Sequence, residues 1–310
     1  MKAVLCTGYG PPEVLKMAEV PKPVPKDNEV LIRNFATTCH IGDVRVRSFD
    51  VPLLQKIPFR IYLGLTKPKR PILGMELAGE IESIGKNVKR FKPGDKVFAC
   101  TGFVFGAYAE YTCVPEDSKK INIGMVAHIP SNMTYEEAAA GVTTGGITAL
   151  TGLRKNGIRN GQKIMVYGAS GSVGVFAVQL AKHYGTEVTG VCSTGNMEMV
   201  KSLGADKVID YTKENLSKYG RDYDIVFDAV DKLPASKGKS LLVKNGKFVK
   251  VGADDESRIS IEDFYFLKEL VEKGEIKTII DRTYPLEQIV EAHGYVEKGH
   301  KKGHVVITTS

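Results

Sequence analysis

The chain has 310 residues, 43% hydrophobic and 25% charged, enough to bury a substantial core and to fill two domains of ordinary size. No run approaches the roughly 18 apolar residues that span a bilayer, and the opening "MKAVLCTGYGPPEVL" has neither a signal-peptide core nor transit-peptide character, so no membrane partner is expected and the expected address is the cytoplasm. The net charge of +7 comes from short clusters, "KPKR" at 67–70 and "KGHKKGH" at 298–304, without aromatic interleaving; this predicts a solvated basic surface and no nucleic-acid partner.

Five cysteines, Cys6, Cys39, Cys100, Cys113 and Cys192, are odd in number and widely spaced, which argues against a disulfide framework or a closed zinc knuckle and for reduced thiols. Residues 1–122 carry short apolar runs, "EVLIRNF", "ELAGEIESIG", "DKVFAC" and "YAEYTCV", broken by Gly, Pro and Asp turns. They predict a compact all-β unit, a barrel or sandwich. A long excursion at 48–70 interrupts it, as loops that line or cover a site do. From about residue 130 the rhythm becomes strand and helix in alternation. "PSNMTYEEAAA" opens a helix with a capping box, Thr134 with Glu137. "QKIMVYG", "TEVTGVCS", "DKVIDY", "YDIVFDAV" and "GKFVKVG" read as strands, and "SVGVFAVQLAKHYG" and "MEMVKSLG" as the helices between the first three. Such βα units imply a parallel sheet wound on both faces.

At the first strand-to-helix junction stands "GASGSVG", residues 168–174. Gly168, Gly171 and Gly174 suit a tight turn, close approach of a pyrophosphate and helix-on-sheet packing, with the amides of Ser172 and Val173 presented at a helix N-terminus. The next strand ends "VCSTGNM", where Ser193, Thr194 and Asn196 carry no negative charge to repel a 2′-phosphate; the first acid is Glu198. NADPH is therefore the expected cofactor.

These motifs, with "GMELAGEI", "FKPGDKVFA", "GVTTGGITAL" and "SLGADKVIDY", make the chain resemble the medium-chain dehydrogenase/reductase superfamily over nearly its whole length, specifically its zinc-free quinone oxidoreductase (zeta-crystallin-like) branch. The resemblance implies an α/β fold: a GroES-like β-barrel catalytic domain at 1–122, a Rossmann doubly wound parallel sheet at 123–273, and a segment at 274–310 that returns to the catalytic domain. It places Thr144 and Thr148 along the nicotinamide and its ribose, the backbone of Val251 and Gly252 at the carboxamide, and Ser193 and Tyr211 at the 2′-phosphate. His40 and Asp43 face the nicotinamide side, and Tyr108 is a further candidate donor to a substrate oxygen.

Zinc alcohol dehydrogenases of that superfamily draw three catalytic ligands from separate stretches. In "CHIGD" the alignment on Asp43 puts His40, not Cys39, at the first position; "GME" puts Met75 at the second; the third is Ala140. A thioether is a poor zinc ligand and alanine has no donor, so no metal is expected, although Cys39, His40 and Glu76 could in principle gather a stray ion. Without a Lewis acid, a quinone or enone is a reachable hydride acceptor because conjugation spreads the incoming charge. An alcohol dehydrogenase with an altered metal site and a non-catalytic NADPH-binding protein stay open as other readings. The superfamily's usual dimer edge strand follows "GKFVKVG"; here only "ADDESRIS", 253–260, precedes the next helix, "IEDFYFLKELVEKG", capped by Ser260 and Asp263. The expectation is a monomer, or a dimer on another surface.

Overall fold

A computed structural model of the chain describes residues 1–50, 56–116, 123–251 and 259–309. The chain forms two compact units, residues 1–143 with 280–310, and residues 144–279.

The first unit is built on a seven-stranded sheet. After a small hairpin of β1 (Lys2–Cys6) and β2 (Leu15–Glu19), β3 (Glu29–Thr38) acts as the hub. Its first half pairs with β6 (Tyr111–Pro115), and its last residues pair with a strand from the far end of the chain. Along its other edge β4 (Glu76–Ile84) pairs, then β5 (Lys96–Cys100) and β7 (Met125–His128). Val30 and Ile32 of β3 and Leu77 and Ile81 of β4, at even spacings and so on one face of each strand, enter one core. Two helices lie in the stretch read as all-β. α1 (Ile41–Ser48) follows the "CH" pair, and α2 (Lys56–Leu63) lies inside the excursion, where Pro58 is tolerated because first-turn amides need no intrahelical acceptor. The cationic run at 67–70 is partly structural: Lys69 Nζ donates to Ile61 O and Arg70 Nη1 to Phe103 O. The expected capping box is formed at α3 (Tyr135–Ala139), with Glu137 N to Thr134 Oγ1 at 3.2 Å and Thr134 N to Glu137 Oε2 at 2.9 Å.

The chain passes into the second unit within a π-helical turn, Val142–Gly146, which α4 (Ile147–Lys155) follows. Then come β8 (Lys163–Tyr167), α5 (Ser172–His183), β9 (Glu187–Cys192), α6 (Met197–Ser202), β10 (Lys207–Asp210), β11 (Tyr223–Asp228), α7 (Ala235–Ser240), β12 (Leu242–Lys250) and α8 (Ile261–Glu272). All pairings are parallel and the order is β10-β9-β8-β11-β12. The first strand of the unit is therefore central and the winding reverses between β8 and β11, the switch point at which such sheets bind ligands. α8 buries Phe264, Leu267, Leu270 and Val271 behind its Ser260 and Asp263 box. β13 (Ile280–Pro285), α9 (Ile289–Glu297) and β14 (His304–Thr308) return to the first unit, where β14 pairs with Ala36, Thr37 and Thr38 of β3.

The units divide at 143/144 and 279/280, whereas the resemblance implies 122/123 and 273/274. The reason is packing: β7 is a strand of the first sheet, and α3 lies on β3 and β4. Of the segment read as lacking a dimer edge, residues 252–258 lie outside the described residues, as does Gly252.

Candidate active site

Parallel register brings the ends of β8, β9, β10, β11 and β12 to one edge: Tyr167 pairs with Val191 and Asp228, Asp210 with Cys192, and Asp228 with Lys250. The residues that follow these strands, Gly168, Ser193, Tyr211 and Val251, thus share one rim. The glycines of the turn have distinct duties. A Cβ on Gly168, whose φ is +78°, would lie 2.6 Å from Val230 Cγ1, and one on Gly174 would lie 2.1 Å from Gly168 O; both are demanded by the fold. A Cβ on Gly171 would meet nothing nearer than Gly168 O at 3.4 Å. The open space above Gly171, with the first turn of the twelve-residue α5 bearing no side-chain cap, fits a pyrophosphate.

Asn196 ties the two halves of this rim together, its Nδ2 donating to Ser170 Oγ and Ser193 Oγ, each at 3.1 Å. An acid that the strand-end rule overlooks stands one strand away. Asp210 is buried beneath Thr194 and Thr212, whose hydroxyls donate to it and hold its carboxyl below the ordinary range. Lys213, exposed, places its Nζ 3.9 Å from the same carboxylate. Tyr211 is 47% exposed. The polar surface here is hydroxyl, phenol and ammonium, a set that suits a phosphate. Thr144 and Thr148 are partly buried in the π-turn and the first turn of α4, four residues apart and so on one side of the helix.

In the first unit, β3 delivers Cys39 and His40 to the start of α1. His40 is the N-cap: its Nδ1 accepts from Gly42 N at 3.0 Å, so the neutral ring carries its proton on Nε2 as a donor. Burial, with Lys301 and Arg45 nearby, lowers its pKa to about 4, and it is neutral at pH 7. Asp43 and Tyr108 are both 0% exposed. Asp43 Oδ1 accepts from Gly74 N at 2.9 Å and the carboxyl also faces the Tyr108 hydroxyl; burial raises its pKa to about 7. Tyr108 sits against Asp43 and Cys39 and its Oη is 3.1 Å from His293 Nε2. Burial also pushes the Cys39 thiol far up. Asp43 and Tyr108 therefore form a buried layer with Cys39 and His293, and only His40 of the three catalytic candidates reaches the surface.

The donors near the superfamily's metal position do not fit a zinc ion. Glu76 is fully buried, with Oε1 accepting from Thr38 Oγ1 and Oε2 from Thr143 Oγ1 at 2.9 Å. Met75 packs near His40, since a Cβ on Gly42 would lie 2.8 Å from Met75 Sδ and 2.9 Å from His40 Nδ1. Ala140 has no donor. Among the described residues no three His, Cys, Asp or Glu side chains are grouped to hold a metal.

Three residues here carry no sequence signal. His293 lies in α9, a helix not read from the sequence, and Lys301 and His304 lie in the run read as solvated surface. His304 is buried, its ring so close to Gly141 that a Cβ there would lie 1.8 Å from Cε1. Lys301 Nζ donates to Gly303 O at 2.6 Å and shares an electrostatic environment with Cys39 and Glu76.

Residues 26–124 match the family described as the alcohol dehydrogenase GroES-like domain, and residues 203–307 the one described as zinc-binding dehydrogenase. The chain is 34% identical to the 2-methylene-furan-3-one reductase of Solanum lycopersicum, over 99% of this chain and 79% of that protein. It is 31% identical to the chloroplastic NADPH-dependent alkenal/one oxidoreductase of Arabidopsis thaliana, again over 99% of this chain and 79% of that one. The solved quinone oxidoreductase of Coxiella burnetii superposes with a TM-score of 0.82 at 26% identity, covering 100% of this chain and 99% of that one. The two matched domains, the order of the parallel sheet and these relatives agree: the chain belongs to the medium-chain dehydrogenase/reductase superfamily, in its quinone oxidoreductase branch.

Proposed function

We propose that this chain is an NADPH-dependent oxidoreductase that reduces quinones or α,β-unsaturated carbonyl compounds without a metal. The observation that carries the reading is the state of the metal position: Met75 and Ala140 offer no suitable ligand, and both oxygens of Glu76 are bonded to threonines. Saturated ketones, which need their oxygen strongly polarised, fall outside its reach; conjugated acceptors do not.

NADPH, when bound, supplies the hydride. The turn at Gly168, Gly171 and Gly174 with the amides of Ser172 and Val173 would hold its pyrophosphate. Ser193, Asn196, Tyr211 and Lys213 would hold the 2′-phosphate, and Thr144, Thr148 and Val251 the nicotinamide end. His40, whose cap bond from Gly42 N to Nδ1 leaves the neutral ring's proton on Nε2, would donate a hydrogen bond to the acceptor's carbonyl oxygen. Asp43 and Tyr108 serve as positioning residues: they brace the start of α1 from beneath and touch no substrate. The reading keeps the chain in a reducing compartment, the cytoplasm being the one expected, in keeping with five free cysteines.

The test is a panel of matched acceptors. NADPH oxidation is expected with a quinone and with an enone, and none with the saturated ketone of the same skeleton. Tight NADPH binding without turnover of any acceptor would instead mark a binding protein.

A further inference from the structure

Reduction of an enone needs a proton as well as a hydride, and the groups first considered cannot give one. His40 is already neutral, and Asp43, Tyr108 and Cys39 are sealed in the core. The turn before β14 is pinned against the same place. Cys39 N donates to Val305 O at 2.9 Å, Val306 pairs with Thr38, and the His304 ring fills the space over Gly141, beside Ala140. Lys301 stands at the head of that turn. Its Nζ is hooked back to Gly303 O rather than extended into water, and it is only partly exposed. Cys39, Glu76 and Asp281 are its electrostatic neighbours and favour its charged form, and Asp281 also accepts from Tyr295 Oη at 2.7 Å and Lys302 N at 3.0 Å.

We propose that Lys301 is a catalytic residue, the acid that protonates the substrate after hydride transfer, in the reaction proposed above. Once hydride has added to the β-carbon, the C=C electron pair has moved to make an enolate. One N–H bond of the Lys301 ammonium breaks, leaving its pair on nitrogen. The proton bonds to the α-carbon through the enolate π pair, the C=O re-forms, and the amine regains a proton from water. Hydride and proton together saturate the double bond, and one NADPH is oxidised. Before transfer the same ammonium draws charge onto the carbonyl oxygen, partly replacing a metal. Burial lowers its pKa to about 8, which suits a donor working near neutrality.

The test uses the full chain with Lys301→Met and Lys301→Arg. With an enone, Lys301→Met is expected to lose about 10²-fold or more in kcat, while its KM for NADPH stays within about twofold. The wild-type pH profile is expected to fall on an alkaline limb near 8, and Lys301→Arg to lose that limb because guanidinium does not titrate there. Independently of turnover, 13C-dimethylation of the lysines should give one resonance titrating near 8 that is missing from Lys301→Met. Unchanged kcat in the Met variant, persistence of the limb in the Arg variant, or only ordinary lysine titrations in the folded wild type would each overturn the assignment. A wild type that binds NADPH and reduces no enone would sink the underlying reading instead. Should Lys301→Met fail to fold, the Arg variant's profile and the wild-type resonance decide.

Discussion

At the scale of single residues, the glycine turn separates two kinds of constraint. Gly174→Ala should destabilise the second unit, because its Cβ would meet Gly168 O at 2.1 Å. Gly171→Val should leave the unfolding midpoint close to wild type and weaken NADPH binding about 10²-fold or more, since its side chain enters space kept for the pyrophosphate. Calorimetry paired with a binding titration distinguishes them; equal NADPH affinity in Gly171→Val would make that turn merely structural. Ser193→Asp is expected to shift preference from NADPH toward NADH by placing charge at the 2′-phosphate position, and unchanged relative affinities would refute that site. The glycine spacing was legible because it is local to one strand-to-helix junction. The burial of Asp43 and Tyr108 was not, because it depends on partners as distant in sequence as His293. His40 was misleading in a different way: "CHIGD" looks like a ligand cluster, yet its imidazole caps α1. Lys301 and His304 were hidden by composition, since a run of Lys, Gly and His reads as solvent-facing until β14 is seen to pair with β3.

Elements were read best where one physical signal dominates. β8 to β11 and α5 follow from apolar runs and stop residues, and the caps of α3 and α8 from their box residues. Thr134→Ala should cost about 1 kcal/mol and lower the unfolding midpoint of the first unit by about 2–4 °C; no change in calorimetry would mean the box is redundant with packing. α1 and α2 escaped notice because each is eight residues long, too short for a periodic pattern, and α2 carries a proline. β12 begins at Leu242, before the strand read from "GKFVKVG", because Asn245 takes a positive φ of 69° and lets the strand run through what reads as a turn.

At the scale of the molecule, the buried titratable groups set an acid limit. The pKa values of His40 and His293 fall by burial from 6.5 to about 4 and about 3, so the unfolded chain takes up protons there that the folded chain does not, and stability is lost as pH falls below 6.5. Asp43 works the other way, losing stability as pH rises from 3.8 to about 7. Two imidazoles against one carboxyl leave a net fall in the unfolding midpoint between pH 6.5 and 4, steeper for wild type than for His293→Gln. A flat midpoint over that window would contradict it. Among the described residues β12 ends the parallel sheet, and Lys244, Lys247 and Lys250 are exposed along it. Charged edges resist pairing, so the chain should be a monomer or a dimer on another surface, and a dimer whose sheet continues across β12 would refute this reading.

The central claim is that conjugated acceptors are reduced here without a metal, and it is tested most directly by turnover on metal-depleted protein. NADPH oxidation with an enone, measured after exhaustive chelation and elemental analysis, is expected to proceed at the untreated rate with zinc far below one equivalent. Activity that is lost on chelation and restored by zinc would contradict the account.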